Sequence, residues 1–182
     1  MLEGEVIMIT GAAGGMGQGL CEELAKQGAK LILASRKEEA VEALCGRLRR
    51  EYQATVTGSA LDVASEEQVR DFVEQAGKTF GKLDALINLA GLSIPGKIAE
   101  TEESVYDQMM DVNVKGIYFM AKYFSKFAGE DARIINLSSM AARRINANAP
   151  LYCMAKSAVK VFSQALSLQL AKEGIHVTTL NP

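Results

Sequence analysis

Short apolar runs alternate along the chain with longer stretches in which apolar residues recur every three or four positions. The runs have the length of buried strands, and the periodic stretches are typical of helices that bury one face. On this pattern we predict strands at about residues 5–10, 30–35, 54–62, 83–89, 133–138 and 175–180. We predict helices at about residues 15–27, 37–51, 65–80, 102–110, 112–127 and 151–173.

The regular alternation of strands and helices predicts an α/β fold built on a doubly wound parallel sheet. Parallel strands need crossover connections, and helical crossovers cover both faces of the sheet. No internal repeat or linker interrupts the pattern, so we expect one domain over residues 1–182. Ligands of such sheets bind at the carboxyl ends of the strands, near the point where the strand order reverses.

Composition and charge exclude several classes of function. The net charge of −2 provides no basic field for nucleic acid. No apolar run approaches the roughly 20 residues that span a bilayer, and no signal peptide is visible, so we expect a cytoplasmic protein without a membrane partner. The three cysteines are widely spaced and His176 is the only histidine, which argues against a disulfide framework, a metal site and a Ser-His-Asp triad.

A glycine-rich turn separates the first strand from the first helix. It runs Thr-Gly-Ala-Ala-Gly-Gly-Met-Gly over residues 10–17, with Gly11, Gly15 and Gly17 at a spacing that differs from G-x-G-x-x-G. Glycines let the backbone turn tightly and approach a ligand, and the free N–H groups of the following helix favour a pyrophosphate. The turn is therefore either a dinucleotide-binding loop or a merely flexible connection.

The end of the second strand indicates which dinucleotide such a loop would hold. An acidic residue at this place usually binds a free ribose 2′-hydroxyl, but here Ser35 is followed by Arg36. A serine can donate to a 2′-phosphate and an arginine can bind it with two charge-assisted bonds. The pair favours NADP(H) over NAD(H), unless Arg36 is a solvated surface charge.

Tyr152 and Lys156 are four residues apart on the long last helix and share one of its faces. An ammonium group stabilises a nearby phenolate, which makes such a pair an acid/base suited to hydride chemistry. Taken alone, the spacing is more often a packing or surface pair. Ser139 lies thirteen residues before Tyr152, just after the fifth strand, so both come from the edge of the sheet where a cofactor is expected.

Taken together, the glycine turn, Asn113, Ser139, the Tyr152-x3-Lys156 pair and the terminal Asn181-Pro182 occur in the order and spacing of a known family, as does Asn88-x-Ala90-Gly91. Over essentially its whole length the sequence resembles the short-chain dehydrogenase/reductase family. The resemblance implies a Rossmann-type fold, and an enzyme that interconverts a ketone and a secondary alcohol with a nicotinamide cofactor.

The resemblance also implies roles for four residues. Tyr152 would give a proton to the carbonyl oxygen during reduction, and Ser139 would hold that oxygen by a hydrogen bond; Ser138 is the rival candidate. Lys156 would stabilise the phenolate of Tyr152 and bind the nicotinamide ribose. Asn113 would hold a water that links Lys156 to solvent.

The cofactor-binding residues that we expect share positions on the glycine turn or at strand ends. They are Gly11, Gly15, Met16, Gly17, Ser35, Arg36, Asp62, Val63, Asn88, Ala90, Gly91, Tyr152, Lys156 and Pro182. In the family, an aspartate at the place of Asp62 accepts a hydrogen bond from the adenine amino group. An ordinary turn aspartate is an equal alternative on the sequence alone.

Three departures from the family pattern stand out. Leu89 replaces the second asparagine of Asn-Asn-Ala-Gly. Gly14 stands where the family often has a second basic residue, and for this reason we expect incomplete selectivity for NADP(H). Family members usually continue past the Asn-Pro with a glycine, a substrate-covering loop and a seventh strand. We therefore expect this chain to be a fragment or to lack a tail, which puts its own activity in question.

The resemblance is closest to 3-oxoacyl-acyl-carrier-protein reductases, which makes a 3-oxoacyl substrate an expectation. Glu130, Asp131 and Glu173 occupy places where such reductases tend to present basic residues, which argues against docking of an acidic carrier protein. Arg143 and Arg144, between Ser139 and Tyr152, either are solvated or touch an acidic substrate.

Two further expectations concern partners and turnover. The helices at about 112–127 and 151–173 have more apolar positions than one sheet face covers, so we expect a homodimer or homotetramer through them. The competing hypothesis for the function is a module that senses NADP(H) without turnover. The set of Asn113, Ser139, Tyr152 and Lys156 argues for an enzyme, and a truncated pocket would argue for a sensor.

Overall fold

The computed structural model describes residues 1–182. Its strands are β1 (Val6–Thr10), β2 (Lys30–Ser35), β3 (Val56–Ala60), β4 (Leu83–Asn88), β5 (Ala128–Leu137) and β6 (His176–Leu180). Its α-helices are α1 (Gly15–Lys26), α2 (Glu38–Tyr52), α3 (Glu66–Phe80), α4 (Glu103–Met110), α5 (Gly116–Phe124) and α6 (Pro150–Leu170). The order of elements is the predicted one. No helix is both long enough and apolar enough to cross a bilayer.

The six strands form one parallel sheet in the order β3-β2-β1-β4-β5-β6. The chain winds outward from β1 in one direction and then starts again from β4 in the other, so the strand order reverses between these two strands. At their carboxyl ends Thr10 pairs with Asn88, and Asn88 pairs with Asn136 of β5. The predicted doubly wound α/β fold is confirmed, and its ligand-binding crevice lies next to Thr10 and Asn88.

A separate apolar core covers each face of the sheet, as alternating side chains of a buried strand require. Val6 and Met8 of β1 belong to the core under α3, α5 and α6, whereas Ile7 and Ile9 belong to the core under α1 and α2. All four side chains are at most 3% exposed. The central strand is therefore held from both sides, which makes its carboxyl end a rigid base for a site.

The prediction of one continuous helix over 112–127 was wrong. The chain forms a π-helical turn at Asp111–Lys115 and only then the α-helix α5, which ends at Phe124. The side chain of Asn113, inside this turn, donates to the carbonyl oxygen of Met109 (Nδ2 to O, 2.9 Å) and competes with the regular helical ladder.

The fifth strand begins five residues earlier than the predicted boundary at Arg133. Ala128 already pairs with Leu83, and the register then shifts before Ala85 pairs with Arg133. Asp131 has a φ of 58°, in the left-handed region. By composition alone, the segment Gly-Glu-Asp at residues 129–131 is typical of a turn. In the structure it belongs to β5, because that strand pairs with β4 on both sides of the register shift.

Candidate active site

The glycine turn after β1 is shaped by backbone contacts that leave no room for side chains at two positions. Gly11 has a φ of 70°, and a Cβ there would lie 2.7 Å from the backbone nitrogen of Ala90. A Cβ on Gly17 would lie 2.5 Å from the carbonyl oxygens of Gly11 and Ala12. These two glycines bring β1, the end of β4 and the first turn of α1 together.

The amino end of α1 is open to an anion. Its N-cap is Gly14, which offers no side-chain hydrogen bond, and the first turn contains no acidic residue. The first N–H groups of the helix therefore remain free to donate to a ligand, and no acidic side chain neutralises the positive end of the helix dipole. Together with the space that Gly11 and Gly17 keep free of side chains, this cradle fits a dinucleotide pyrophosphate.

A cleft opens beside this turn, at the point where the strand order reverses. It is lined by six of the residues predicted to bind a cofactor: Gly11, Ser35, Arg36, Val63, Ala90 and Gly91. It is also lined by residues that sequence reasoning did not single out, among them Leu61, Leu92 and Val112. Their apolar pattern is that of ordinary core residues, so only their place at the strand ends identifies them.

Ser35 and Arg36 present one hydroxyl and one free cation to this cleft. The Ser35 Oγ accepts a hydrogen bond from the backbone N–H of Ala13 (3.3 Å), which ties the end of β2 to the glycine turn. Arg36 is exposed and forms neither an ion pair nor a hydrogen bond. No acidic residue lines the cleft, so nothing there would repel a phosphate group.

Asp62 follows β3 but does not line the cleft, although its neighbours Leu61 and Val63 do. Its Oδ1 accepts from the backbone N–H of Ala64 (3.0 Å), and its own N–H donates to Gln68 Oε1 (3.0 Å). In this arrangement Asp62 stabilises the turn before α3, as expected for an ordinary turn aspartate, the alternative to adenine binding.

Met16 and Pro182 meet in a second, largely apolar cleft, together with Leu20, Leu137 and Leu180. Leu89 lines both clefts, so the departure from the family asparagine places an apolar side chain between them. Asn181 Oδ1 lies buried at this cleft without a hydrogen-bond partner. Gly15 faces open space: nothing lies within 4 Å of where its Cβ would be.

Lys156 is a buried cation beside the crevice. The residue is only 3% exposed and no carboxylate pairs with it. Its Nζ donates to the carbonyl oxygen of Leu137 (2.9 Å) and lies 5.7 Å from the centre of the Tyr152 ring. Burial lowers the pKa of Lys156 to about 8, because water no longer stabilises the charged form.

Asn113 is fully buried and, like Lys156, lies close to Gly91. A methyl group on Gly91 would lie 3.2 Å from Asn113 Oδ1 and 3.4 Å from Lys156 Nζ. The Asn113 amide donates to Leu92 O (2.8 Å) and Met109 O, and its Oδ1 accepts from Leu92 N–H (3.2 Å). Both donors of the amide are used, whereas Oδ1 accepts one hydrogen bond and can accept another.

The two neighbouring serines after β5 differ in what their hydroxyls do. Ser138 is 2% exposed and donates to the carbonyl oxygen of Lys156 (2.7 Å), so its proton is committed to holding α6. Ser139 is half-buried, and its Oγ only accepts from the N–H of Ala141 (3.1 Å), which leaves its proton free for a ligand. The half-buried Tyr152 has no hydrogen bond of its own to compete for its hydroxyl.

Asn88 lies in a buried polar chain rather than on the lining of either cleft. Its Nδ2 donates to Asn136 Oδ1 (2.8 Å), and Asn136 Nδ2 donates to Ser163 Oγ (2.9 Å) on α6. Ser163 in turn donates to the carbonyl oxygen of Val159 (2.7 Å). The chain ties β4, β5 and α6 together below Lys156. Sequence reasoning missed Asn136 and Ser163, because nothing along the chain marks them as partners.

Comparison with known proteins identifies the family of this chain. The family model for short chain dehydrogenase matches residues 5–182. An uncharacterized oxidoreductase of Staphylococcus saprophyticus is 34% identical over 183 residues, which cover 100% of this chain and 78% of the relative. At this identity and coverage the relationship is one of family and not of fold alone.

Two solved structures extend the comparison. A short chain dehydrogenase/reductase from Burkholderia phymatum in complex with NAD has a TM-score of 0.94 and 29% identity, covering 100% of this chain and 66% of that one. A variant of actinorhodin polyketide ketoreductase with NADPH has a TM-score of 0.92 and 29% identity, covering 98% and 70%. On these grounds the chain belongs to the short-chain dehydrogenase/reductase family of oxidoreductases.

Proposed function

We propose that this chain is an NADP(H)-dependent oxidoreductase that interconverts a ketone and a secondary alcohol, with Tyr152 as the proton donor and acceptor. The observation that carries the proposal is the buried ammonium of Lys156, one helical turn from Tyr152 and beside the crevice of the sheet. A buried cation without a counter-ion destabilises a fold. Such a group in a cleft is a strong candidate for a functional residue.

The hydrogen bonds of Lys156 support its assigned part. An ammonium has three donors, and one is used by Leu137 O, so two remain for the phenolic oxygen of Tyr152 and a ribose hydroxyl. A positive charge at this distance favours the phenolate, which is the form that accepts a proton during alcohol oxidation.

The proton and the hydride have separate sources in this scheme. A nicotinamide supplies or accepts the hydride when bound. During reduction Tyr152 donates its phenolic proton to the carbonyl oxygen, while the free hydroxyl proton of Ser139 holds the same oxygen. The phenolate left behind is neutralised by a proton from Lys156. A water that donates a hydrogen bond to Asn113 Oδ1 would return that proton from solvent to Lys156.

The preference for NADP(H) over NAD(H) rests on Ser35 and Arg36. Both line the cleft, Arg36 has no internal partner, and no carboxylate is present to bind a free 2′-hydroxyl. The related structures hold NAD in one case and NADPH in the other, so the preference is argued from this chain alone. Gly14 adds no second cation, and we expect NADH to be accepted with lower affinity.

A 3-oxoacyl thioester is the first substrate to test, and a homodimer or homotetramer is the expected assembly. One of the related structures is a polyketide ketoreductase. Exposed apolar residues of α5 and α6, namely Tyr118, Val161 and Leu168 at 52%, 63% and 82% exposed, form the face that we expect to be covered. Light scattering tests this: a monomer at micromolar concentration would contradict it.

The decisive experiment follows NADPH consumption with a 3-oxoacyl thioester and, separately, NADPH binding. Tyr152→Phe should lower the turnover number by about 10²–10⁴-fold and leave the dissociation constant of NADPH unchanged. Tyr52→Phe, which removes another phenolic hydroxyl at the end of α2, away from the carboxyl ends of the strands, is the matched control and should change neither. Binding without turnover of any carbonyl compound would favour the NADP(H) sensor, and turnover that survives Tyr152→Phe would overturn the proposed role of this residue.

A further inference from the structure

The segment from β5 to the end of α6 is rich in basic residues. From residue 132 to residue 172 the sequence contains no aspartate and no glutamate. The same stretch has six basic residues: Arg133, Arg143, Arg144, Lys156, Lys160 and Lys172. The chain as a whole has a net charge of −2, so the excess is local to β5, the loop after it and α6.

Arg143 and Arg144 stand out within this stretch because they are adjacent, exposed and unpaired. Neither forms an ion pair or donates a side-chain hydrogen bond. Lys97 and Lys115, by contrast, each pair with a carboxylate one turn away. Two neighbouring guanidinium groups repel one another, so the pair favours binding of an anion.

The backbone that carries the two arginines is fixed close to Ser139. The N–H groups of Arg143 and Arg144 both donate to Met140 O (2.9 and 2.7 Å). Met140 N–H donates to Pro182 O (3.1 Å), so the turn is anchored to the end of β6. Ser139 O accepts from the N–H of Ala142 (3.0 Å), so Arg143 directly follows a turn that begins at Ser139.

The far side of the same loop is anchored as well. The thiol of Cys153, next to Tyr152, accepts from the backbone N–H of Asn146 (3.4 Å). The N–H of Gly96, on the loop after β4, donates to Asn148 O (3.0 Å). The arginines are therefore presented by a loop with both ends held at the crevice, between Ser139 and Tyr152.

Apolar side chains flank the two cations on this loop. Met140 is 39% exposed and Ile145 is 76% exposed. A surface with two free guanidinium groups between exposed apolar residues suits a ligand that has both an oxyanion and a hydrocarbon part.

Resting on the proposed function, we infer that Arg143 and Arg144 bind an oxyanion on the substrate. The substrate is then an acidic carbonyl compound, such as an oxo acid or an acyl thioester with a phosphate-bearing carrier. The guanidinium groups fix the end of the substrate away from the carbonyl, and Ser139 and Tyr152 receive the carbonyl oxygen. The inference adds specificity for an acidic substrate to the general ketone reduction proposed above.

Kinetics with matched acidic and neutral substrates test this inference. The acidic probes are oxo acids with one to four methylene groups between the carbonyl and the carboxylate, together with a 3-oxoacyl-coenzyme A. The neutral probes are the methyl esters of the acids and the corresponding N-acetylcysteamine thioester. The two arms distinguish a carboxylate from a phosphate as the bound oxyanion.

The variant is Arg143→Ala with Arg144→Ala, and the control is Arg133→Ala with Lys172→Ala, which removes the same charge from the same stretch. The variant should raise KM for an acidic probe about tenfold, the effect of losing an exposed charge-assisted hydrogen bond, with kcat and the neutral probes unchanged. Replacing both arginines with lysine should restore part of the affinity. Equal changes for acidic and neutral probes, or the same change in the control, would overturn the inference.

A binding measurement separates failure of this inference from failure of the proposed function. Calorimetric titration with a hydroxy acid and its methyl ester, at saturating NADPH, measures binding without turnover, because an alcohol cannot react with the reduced cofactor. Tighter binding of the acid that disappears in the double alanine variant supports the oxyanion site even without catalysis. Equal or absent binding of acid and ester by the unmodified chain overturns the inference, whereas absence of any turnover that depends on Tyr152 overturns the proposed function alone.

Discussion

The two sides of the crevice differ in whether backbone groups or side chains form them. On the side of β1 and α1, the site consists of backbone: Gly11 and Gly17 keep side chains out, and Gly14 leaves the helix N–H groups open. On the side of β5 and α6, it consists of buried side chains, with Lys156 among them. A backbone cradle fits a ligand part that all family members share, whereas side chains can adjust chemistry and substrate choice.

The largest effect is expected on the backbone side, from Gly17→Ala. The new Cβ would lie 2.5 Å from two carbonyl oxygens, so the turn has to open. We expect a loss of about 2–4 kcal/mol in the free energy of unfolding and a loss of cofactor binding of about 100-fold or more.

Gly19→Ala is the control for that change, because nothing lies within 4 Å of its Cβ position on the same helix. It should stabilise the chain by about 0.5–1 kcal/mol in thermal or urea unfolding. Equal effects of the two substitutions would show that the turn has no special shape.

The next effect probes the buried polar chain on the other side. Ser163→Ala leaves Asn136 Nδ2 without an acceptor, and an unpaired buried donor costs about 1–3 kcal/mol. Urea unfolding should show this loss, while Ser167→Ala, at a half-buried place on the same helix, should stay within about 0.5 kcal/mol of the unmodified chain. A loss of stability no larger than that of the control would mean that the hydrogen bond between Asn136 and Ser163 does not hold α6 to β5.

Lys156→Met should separate stability from activity. Below pH 8 the unmodified fold bears the burial of a charged lysine, about 3 kcal/mol for a pKa lowered from 10.5 to about 8. The variant also loses the hydrogen bond to Leu137 O, about 1–2 kcal/mol. We expect the free energy of unfolding of the variant to be about 1–2 kcal/mol higher at pH 7 than that of the unmodified chain, and we expect the variant to be inactive.

The sign of the pH dependence follows from the lowered pKa of Lys156. The unfolded lysine binds its proton up to pH 10.5 and the folded one only up to about 8, so the unmodified chain gains stability between these values. The advantage of the variant should therefore shrink across this window. The opposite contribution of Cys21, whose burial raises the pKa of its thiol to about 12, cancels in the difference between the two proteins. An advantage that is constant with pH would contradict this account.

The smallest effect is expected at the far end of the backbone side. Arg36→Ala should raise KM for NADPH about tenfold, the worth of one exposed charge-assisted contact, and leave KM for NADH unchanged. Lys37→Ala, the exposed neighbour at the start of α2, is the control. If both cofactors weaken equally, Arg36 has no part in the choice between them.

The sequence by itself determined the order of the elements, the parallel doubly wound sheet and the edge at which ligands bind. These features follow from local patterns: short apolar runs, helical periodicity and a glycine turn between a strand and a helix. The choice of Ser139, Tyr152 and Lys156 also came from spacing along one segment, and the fold brings that segment to the crevice. Local reasoning can name these candidates because they are close to one another in sequence, and their roles stay a prediction.

Only the tertiary structure decided which polar residues are committed to holding the fold. Asn88 bonds with Asn136, 48 residues away, and Ser138 bonds with Lys156, 18 residues away. The early start of β5 likewise depends on pairing with β4, and the π-helical turn contains Asn113, which bonds with Leu92. Side-chain hydrogen bonds between distant segments leave no periodic signal along the chain, because the residue type is the same whether it binds a ligand or a neighbouring strand.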